Sequence, residues 1–214
     1  MRSLISRNDL IFIAGHNGLA GGSICRSLIK NGYKNLITIS KNKLDLSKQL
    51  DVKLWFAKNK PDVVILAAAK VGGIIANSNY PYDFLSENLL IQTNVINASY
   101  ENDVKRLLFL SSSCAYPKFC KQPIKEEYLL TGSLENTNES YALAKIAGMK
   151  LCASLKFQKN FDSFSVMPTN LYGPGDNYES GNSHVFASLI KKFTLAKLQN
   201  KDEVICFGDG SPKR

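Results

Sequence analysis

Tyr141 and Lys145 stand four residues apart in the run Tyr141-Ala142-Leu143-Ala144-Lys145, inside a stretch with helical spacing. On a helix, positions i and i+4 share a face, so a phenol and an ammonium can point into one cleft. A tyrosine has a reference pKa near 10 and is a poor acid–base group at neutral pH. A cation about 4 Å away, at an effective dielectric near 20, contributes roughly 4 kcal/mol. That is enough to lower the phenol by about two or three units, into a range useful for proton transfer. Ser111-Ser112-Ser113 ends an apolar run earlier in the chain. A hydroxyl there can hydrogen-bond a substrate carbonyl while Tyr141 exchanges its proton.

A second constellation lies near the N-terminus: Gly15-His16-Asn17-Gly18-Leu19-Ala20-Gly21, following Leu10-Ile11-Phe12-Ile13-Ala14. Glycines at this spacing between a buried strand and a helix make a tight turn and let backbone approach a pyrophosphate. They also let helix pack on strand, and the helix N-terminus offers free N–H groups to the phosphates. The end of the second apolar run, Leu36 to Ser40, selects between dinucleotides. It carries Ser40-Lys41-Asn42-Lys43 and no acid before Asp45. A carboxylate there would bind a ribose 2′-hydroxyl, whereas basic residues favour a 2′-phosphate. Lys41 therefore points to NADP(H).

The elements that must position these groups alternate. Strands are expected at Leu10–Ala14, Leu36–Ser40, Val63–Ala67, Arg106–Ser111, Ser163–Met167 and, briefly, Val204–Phe207. Helices are expected at Leu19–Asn31, Leu46–Ala57, Pro81–Tyr100, from about Asn138 to Phe157, and Ser183–Leu198. Near-continuous apolar strands alternating with helical periods mean α/β, a doubly wound parallel sheet covered on both faces. In such a sheet, ligands sit at the carboxyl ends of the strands, where the Gly loop and the serines fall.

Composition removes several classes. The 214 residues carry 44% hydrophobic and 21% charged residues, ample for a core and unlike a disordered chain. No stretch reaches the roughly 18 apolar residues of a membrane span, and a signal peptide is not expected, since His16 and Asn17 interrupt the first apolar run. The expectation is a soluble, cytoplasmic protein. The net charge of +9 invites nucleic acid, but only five of 27 basic residues are Arg and the lysines are scattered. Base readout favours Arg forks, so no nucleic-acid partner is expected. Five cysteines with no CxxC pair, and two histidines, form no recognisable metal set.

Gly loop, serine and YxxxK in this order resemble the short-chain dehydrogenase/reductase superfamily. The wide gap from Ser112 to Tyr141 is similar to its extended, sugar-nucleotide branch. Within that branch the chain resembles the GDP-L-fucose synthase (GDP-4-keto-6-deoxy-D-mannose 3,5-epimerase-4-reductase) family from Leu10 to Arg214. The blocks that carry the likeness run from Gly15 to Gly18, Leu66 to Ile74, Ser112 to Pro117, Tyr141 to Gly148, Met167 to Pro174 and Asn182 to Val185. The resemblance implies a Rossmann-type NADP-binding domain over residues 1–182. Residues 183–214 would begin a substrate-binding region whose remaining part, about a hundred residues in the family, is largely absent.

It also implies roles. Tyr141 is the proton donor for reduction at C4, Lys145 binds the nicotinamide ribose and tunes Tyr141, and Ser112 binds the keto oxygen. Cys114 and His184 are the base and acid of epimerisation. The cofactor side comprises Gly15, His16, Asn17, Gly18, Leu19, Ala20, Gly21 and Lys41. To these it adds Leu110, Ser111, Ser112, Ser113, Lys145, Pro168, Thr169, Asn170, Leu171 and His184. Lys192, Phe207 and Arg214 match substrate-binding positions. Asn17 and Phe207 stand where the resemblance leads one to expect an Arg and a Trp. The implied partners are a GDP-sugar and a second copy, joined through Pro81–Tyr100 and Asn138–Phe157 as a four-helix interface. Two alternatives stay open at this point: a sugar-nucleotide dehydratase or 4-epimerase that retains NAD, and an inactive nucleotide-binding fragment.

Overall fold

The computed structural model describes residues 4–178 and 183–206, and its five strands form one parallel sheet. β1 (Ile11–Ala14) and β3 (Val63–Leu66) are buried at every position, as central strands with no wet face must be. β2 (Leu36–Ile37), β4 (Arg106–Leu110) and β5 (Ser163–Val166) complete the sheet in the order β2-β1-β3-β4-β5. Ile11 is in register with Leu36 on one side and Val63 on the other, and Leu107 with Ser163. Strand order changes direction between β1 and β3, and the crevice at that switch point is where a doubly wound sheet takes its ligand.

Side chains alternate across each strand, so the sheet divides the core in two. Ile11, Ile13, Val63 and Ile65 face α1 (Leu19–Lys30), packing with Ile24 and Leu28. Phe12, Val64, Leu66 and Phe109 face the other side. There they join Phe56 of α2 (Gln49–Asn59), Val95 and Ile96 of α4 (Pro81–Glu101), and Ile146 of α5 (Glu139–Lys159). Pro81 occupies the first turn of α4, where its missing N–H costs nothing. Among the described residues, no helix is long and apolar enough to cross a membrane.

Local side-chain chemistry shifts several boundaries from the sequence expectation. β2 stops at Ile37 rather than Ser40, and the Ser40 carbonyl accepts the N–H groups of Lys43 (3.0 Å) and Leu44 (3.1 Å) in a turn. α2 starts at Gln49 rather than Leu46 because the Asp45 carboxylate takes the Ser47 N–H (3.0 Å) and hydroxyl (2.7 Å). A short helix, α3 (Ile74–Asn79), was not expected; Asn77 Nδ2 ties it back to the carbonyls of Gly72 and Gly73. The expected strand at Val204–Phe207 is not formed over 204–206, and Phe207 lies outside the described residues. A lone apolar run needs a ladder partner. Ile205 instead is 79% exposed, with its carbonyl taken by Lys192 Nζ. Lys192 belongs to α6 (Val185–Leu198).

α4 and α5 lie against each other, α4 over β3 and α5 over β4. Gln92 Nε2 donates to the Ala144 carbonyl at 2.6 Å, deep between the helices. Gly148 makes that approach feasible: a Cβ there would lie 2.5 Å from Phe109 Cζ and 2.8 Å from Gln92 Oε1. Gly148→Ala is therefore expected to destabilise the fold by about 1–3 kcal/mol, as overpacking does. A thermal melt should fall by several degrees; an unchanged or raised midpoint would show that this helix pair is not closely packed.

Candidate functional site

The loop after β1 is shaped by what a side chain would strike. Gly15 has φ +91°, and a Cβ on it would lie 2.6 Å from Ala68 N and 2.8 Å from Ala67 C, the backbone that follows β3. A Cβ on Gly21 would overlap the Gly15 carbonyl. Gly18 is the N-cap of α1 and supplies no side-chain cap, so the first N–H groups of that helix remain available to an anion. His16 Nδ1 is buried beside them with no protein partner. Bare helix N–H groups, a loop that excludes Cβ atoms and an unsatisfied buried nitrogen fit the pyrophosphate of a dinucleotide.

Lys41, read from sequence as the 2′-phosphate ligand, is held by another group here. Its side chain is 74% exposed and its Nζ lies 3.5 Å from Glu87 Oε2. The other oxygen of Glu87 accepts from Lys70 Nζ at 2.6 Å, and Asp83 lies 3.3 Å from the same ammonium. These bonds, Glu87 first, raise the Lys70 ammonium above its ordinary pKa. Asn88 fixes the Lys70 backbone from both sides, accepting its N–H at 2.8 Å and donating to its carbonyl at 3.0 Å.

β4 and α5 bring the acid–base residues together. Lys145 is buried, 4% exposed, and its Nζ donates to the Leu110 carbonyl at 2.8 Å. The ammonium also sits over the rings of Phe109 (4.9 Å) and Tyr141 (5.7 Å). Burial pulls its pKa down from 10.5 to about 8. Tyr141 departs from the sequence expectation. Burial drives its phenol up rather than down, a negative Cys114 adds to the rise, and a hydrogen bond with Ser112 opposes it. Lys145 faces the Tyr141 ring, not an open phenolate, and desolvation outweighs the Coulomb argument made from spacing alone. Ser112 Oγ accepts the Cys114 N–H at 3.3 Å, closing the short 3-10 turn Ser113–Ala115. Asn138 Nδ2 reaches Cys114 Sγ at 3.3 Å.

The other expected positions are placed less tightly. Ser111 is buried with its Oγ unpartnered, and its N–H is paired to the Val166 carbonyl at 2.9 Å. Pro168, after β5, accepts from Ser113 N at 3.3 Å, and the chain continues through Thr169 and Asn170 to an exposed Leu171. His184 is the N-cap of α6, exposed, and makes no side-chain capping bond. Phe207 and Arg214 lie outside the described residues. A cleft of about 360 Å³ is lined by Lys70, Val71, Gly72, Tyr80, Phe84 and Asn177. Phe84 packs edge-on against Tyr141, ring centroids 6.4 Å apart, so the cleft adjoins the phenol. Sequence reading passed over Glu87, Asn88 and Asn138. The available signal for the first two was the set of polar residues Glu87, Asn88 and Gln92 inside the helix expected over Pro81–Tyr100.

Residues 11–214 match the NAD dependent epimerase/dehydratase family. The chain is 54% identical over 212 residues to GDP-L-fucose synthase 1 of Arabidopsis thaliana, covering 99% of this chain and 66% of that protein. It is 50% identical over 204 residues to the GDP-L-fucose synthase of Escherichia coli (strain K12), covering 95% of this chain and 64% of that one. Among solved structures it resembles a GDP-L-fucose synthetase from Naegleria fowleri bound to NADP. The TM-score is 0.86 with 30% identity, over 98% of this chain and 69% of that one. The chain thus spans somewhat less than two thirds of the length of the two curated relatives.

The buried ammonium gives a pH signature. Between about pH 8 and the ordinary lysine value of 10.5, the unfolded chain binds a proton that folded Lys145 has lost. Stability from this group therefore rises with pH through that window, and below it the full cost of a buried charge applies. Lys145→Met is expected to melt above the wild type at neutral pH, with the margin narrowing steadily as pH is raised toward 10.5. A margin independent of pH would mean that Lys145 is not a depressed, buried cation.

Proposed function

That the chain belongs to the NAD dependent epimerase/dehydratase family is the premise from which we propose its reaction. We read it as an NADPH-dependent epimerase-reductase that converts GDP-4-keto-6-deoxy-D-mannose to GDP-L-fucose. Epimerisation at C3 and C5 precedes reduction at C4. The observation that carries this reading is the grouping of Ser112, Cys114, Tyr141 and Lys145 where the end of β4 meets α5. The similarity to proteins named GDP-L-fucose synthase supplies the substrate. A dehydratase or 4-epimerase would make no evident use of a thiol beside the tyrosine.

The residues of the chain then have definite tasks. A C4 ketone acidifies both neighbouring carbons, so each can lose a proton and regain one on the opposite face. Cys114 is the base, and His184 is the acid on the other side. A thiol and an imidazole have reference pKa values of about 8.5 and 6.5, suited to proton exchange near neutrality. Ser112 donates to the keto oxygen and fixes the sugar against Tyr141. The raised pKa of Tyr141 keeps its proton in place until C4 is reduced, when it protonates the new alkoxide. NADPH, when bound, supplies the hydride. Its pyrophosphate would rest on the Gly15–Gly21 loop and α1, Leu110 to Ser113 and Pro168 to Leu171 would flank the nicotinamide, and Lys145 would meet the ribose. Lys41 would meet the 2′-phosphate after exchanging Glu87 for it. Lys192, with Phe207 and Arg214, would hold the GDP-sugar.

In the same reading, residues 1–182 form the cofactor domain and 183–214 begin the substrate region. The enzyme is cytoplasmic and pairs with a second copy through α4 and α5. Both helices leave large apolar side chains exposed, Tyr82 and Leu90 on one and Leu143 and Phe157 on the other. Apolar side chains on adjacent helices suit an interface with a second copy.

Two substitutions separate the half-reactions in a chain that binds the sugar. Cys114→Ser should cut solvent deuterium uptake at C3 and C5 by roughly a hundred- to ten-thousand-fold, the usual contribution of an acid–base group. Reduction should persist and yield the unepimerised 6-deoxy sugar, GDP-rhamnose. Tyr141→Phe should do the reverse, keeping exchange and losing reduction. Normal exchange at both carbons in a folded, sugar-binding Cys114→Ser protein would remove Cys114 from the mechanism.

A further inference from the structure

Asn138 ends the 3-10 turn Asn136–Asn138 and occupies the N-cap position of α5. Asparagine is among the best N-cap residues because its side-chain oxygen can take a free N–H of the first helical turn. Here the side chain makes no such bond. Its Nδ2 points instead at Cys114 Sγ, 3.3 Å away and 24 residues earlier in the chain. Its Oδ1 is buried with no partner. A polar side chain that leaves its usual structural task, and carries an unsatisfied oxygen beside a thiol, needs an explanation.

The chemistry of the two partners provides one. A thiolate is only an acceptor, so an amide N–H directed at it favours the ionised form. A thiol carries one weak S–H donor, and the unpartnered Oδ1 is the acceptor that a half-turn of the amide would bring to it. The amide can therefore match either protonation state of the sulfur. A base that removes a proton at one carbon and returns to the task at a second must pass through both states. The turn Ser113–Ala115 that carries Cys114 packs on α5, which holds the sulfur within reach of the Asn138 amide.

Other titratable groups on the surrounding elements are already engaged or turned away. Lys145 of α5 is bound to the Leu110 carbonyl, and Tyr141 shares a hydrogen bond with Ser112. Glu135 is paired with Lys118 at 2.8 Å and accepts from the Thr137 N–H, while Glu139 is exposed. α3, which packs against the turn ending in Asn138, contains no titratable side chain.

We propose that Asn138 is the positioning residue for Cys114, donating through Nδ2 to its thiolate and accepting through Oδ1 from its thiol. This rests on the reading of Cys114 as the epimerisation base, but it is tested without the sugar. The rate of alkylation by iodoacetamide reports the thiolate. Digestion with trypsin isolates Cys114 in the peptide 107–118, apart from Cys120 in 119–121, which serves as the internal standard. Asn138→Ala removes both polar atoms and adds no charge; Asn138→Asp keeps the size and the capping ability but replaces the donor with a carboxylate beside the sulfur.

Both variants should slow alkylation of Cys114 roughly tenfold at neutral pH and move its pH–rate profile upward by about one unit, with Cys120 unchanged. A role confined to the start of α5 predicts no change at Cys114 in a folded Asn138→Ala chain, and that result, or a downward shift in either variant, would overturn the proposal. The wild-type chain gives a second reading that needs no substitution at Asn138. The Asn138 side-chain ¹⁵N resonance should titrate with the same midpoint as Cys114 alkylation and cease to do so in Cys114→Ala. A resonance indifferent to that titration also overturns the proposal. Should these results hold while Cys114→Ser still exchanges deuterium normally, the pairing stands and the catalytic reading of Cys114 fails.

Discussion

The ammonium of Lys145, sealed between α5 and the carboxyl end of β4, is the constraint on which the site depends. Its hydrogen bond to the Leu110 carbonyl ties the helix to the last residue of the strand. Leu110 is followed at once by the serines and Cys114, so fixing one end fixes the approach of Tyr141 to Ser112. Burying a cation costs several kcal/mol unless it is paired or bonded. Here one carbonyl and two aromatic faces offset only part of that cost, which is why the lysine loses its proton so readily. Gly148, one turn further along α5, and Gln92 of α4 hold the helix close enough for the arrangement to persist.

Electrostatics in the site follow from depth more than from neighbouring charge. Tyr141 and Lys145 are both displaced toward their neutral forms, and in both cases desolvation is the leading cause. A phenol held protonated suits a site that donates one proton, while Lys145, with a pKa of about 8, remains mostly an ammonium at neutral pH. At the edge of the crevice the logic reverses. Glu87 bridges the ammonium groups of Lys70 and Lys41, and its hydrogen bond is the leading cause that raises the Lys70 pKa. Between β1 and β3, at the switch point, the loop is closed by the approach of Gly15 to Ala67 and Ala68.

Features set by near neighbours were legible in the sequence. β1 and β3 announce themselves as uninterrupted apolar runs, α1 stops at Asn31-Gly32, where Gly32 has φ +85°, and α4 starts at Pro81. The shared face of Tyr141 and Lys145 is likewise a matter of helical period. What escaped was set by partners remote in the chain or by single side-chain bonds. The Asp45 bonds to Ser47 delay α2, and the Asn77 amide winds α3 from a stretch with no helical signal. The direction of the Tyr141 shift could not follow from spacing, because burial is supplied by Phe84 and β4. Lys41 meeting Glu87, and Cys114 meeting Asn138, join residues that are 46 and 24 apart.

A direct titration of the Lys145 side chain tests the central claim. Lysine labelled with ¹⁵N at Nζ, assigned by comparison with Lys145→Met, gives the protonation midpoint in the folded wild-type chain. The buried geometry predicts a midpoint of about 8, well apart from the solvent-exposed lysines. A midpoint at the ordinary lysine value of 10.5 would contradict it, because the ammonium would then be either exposed or matched by an anion.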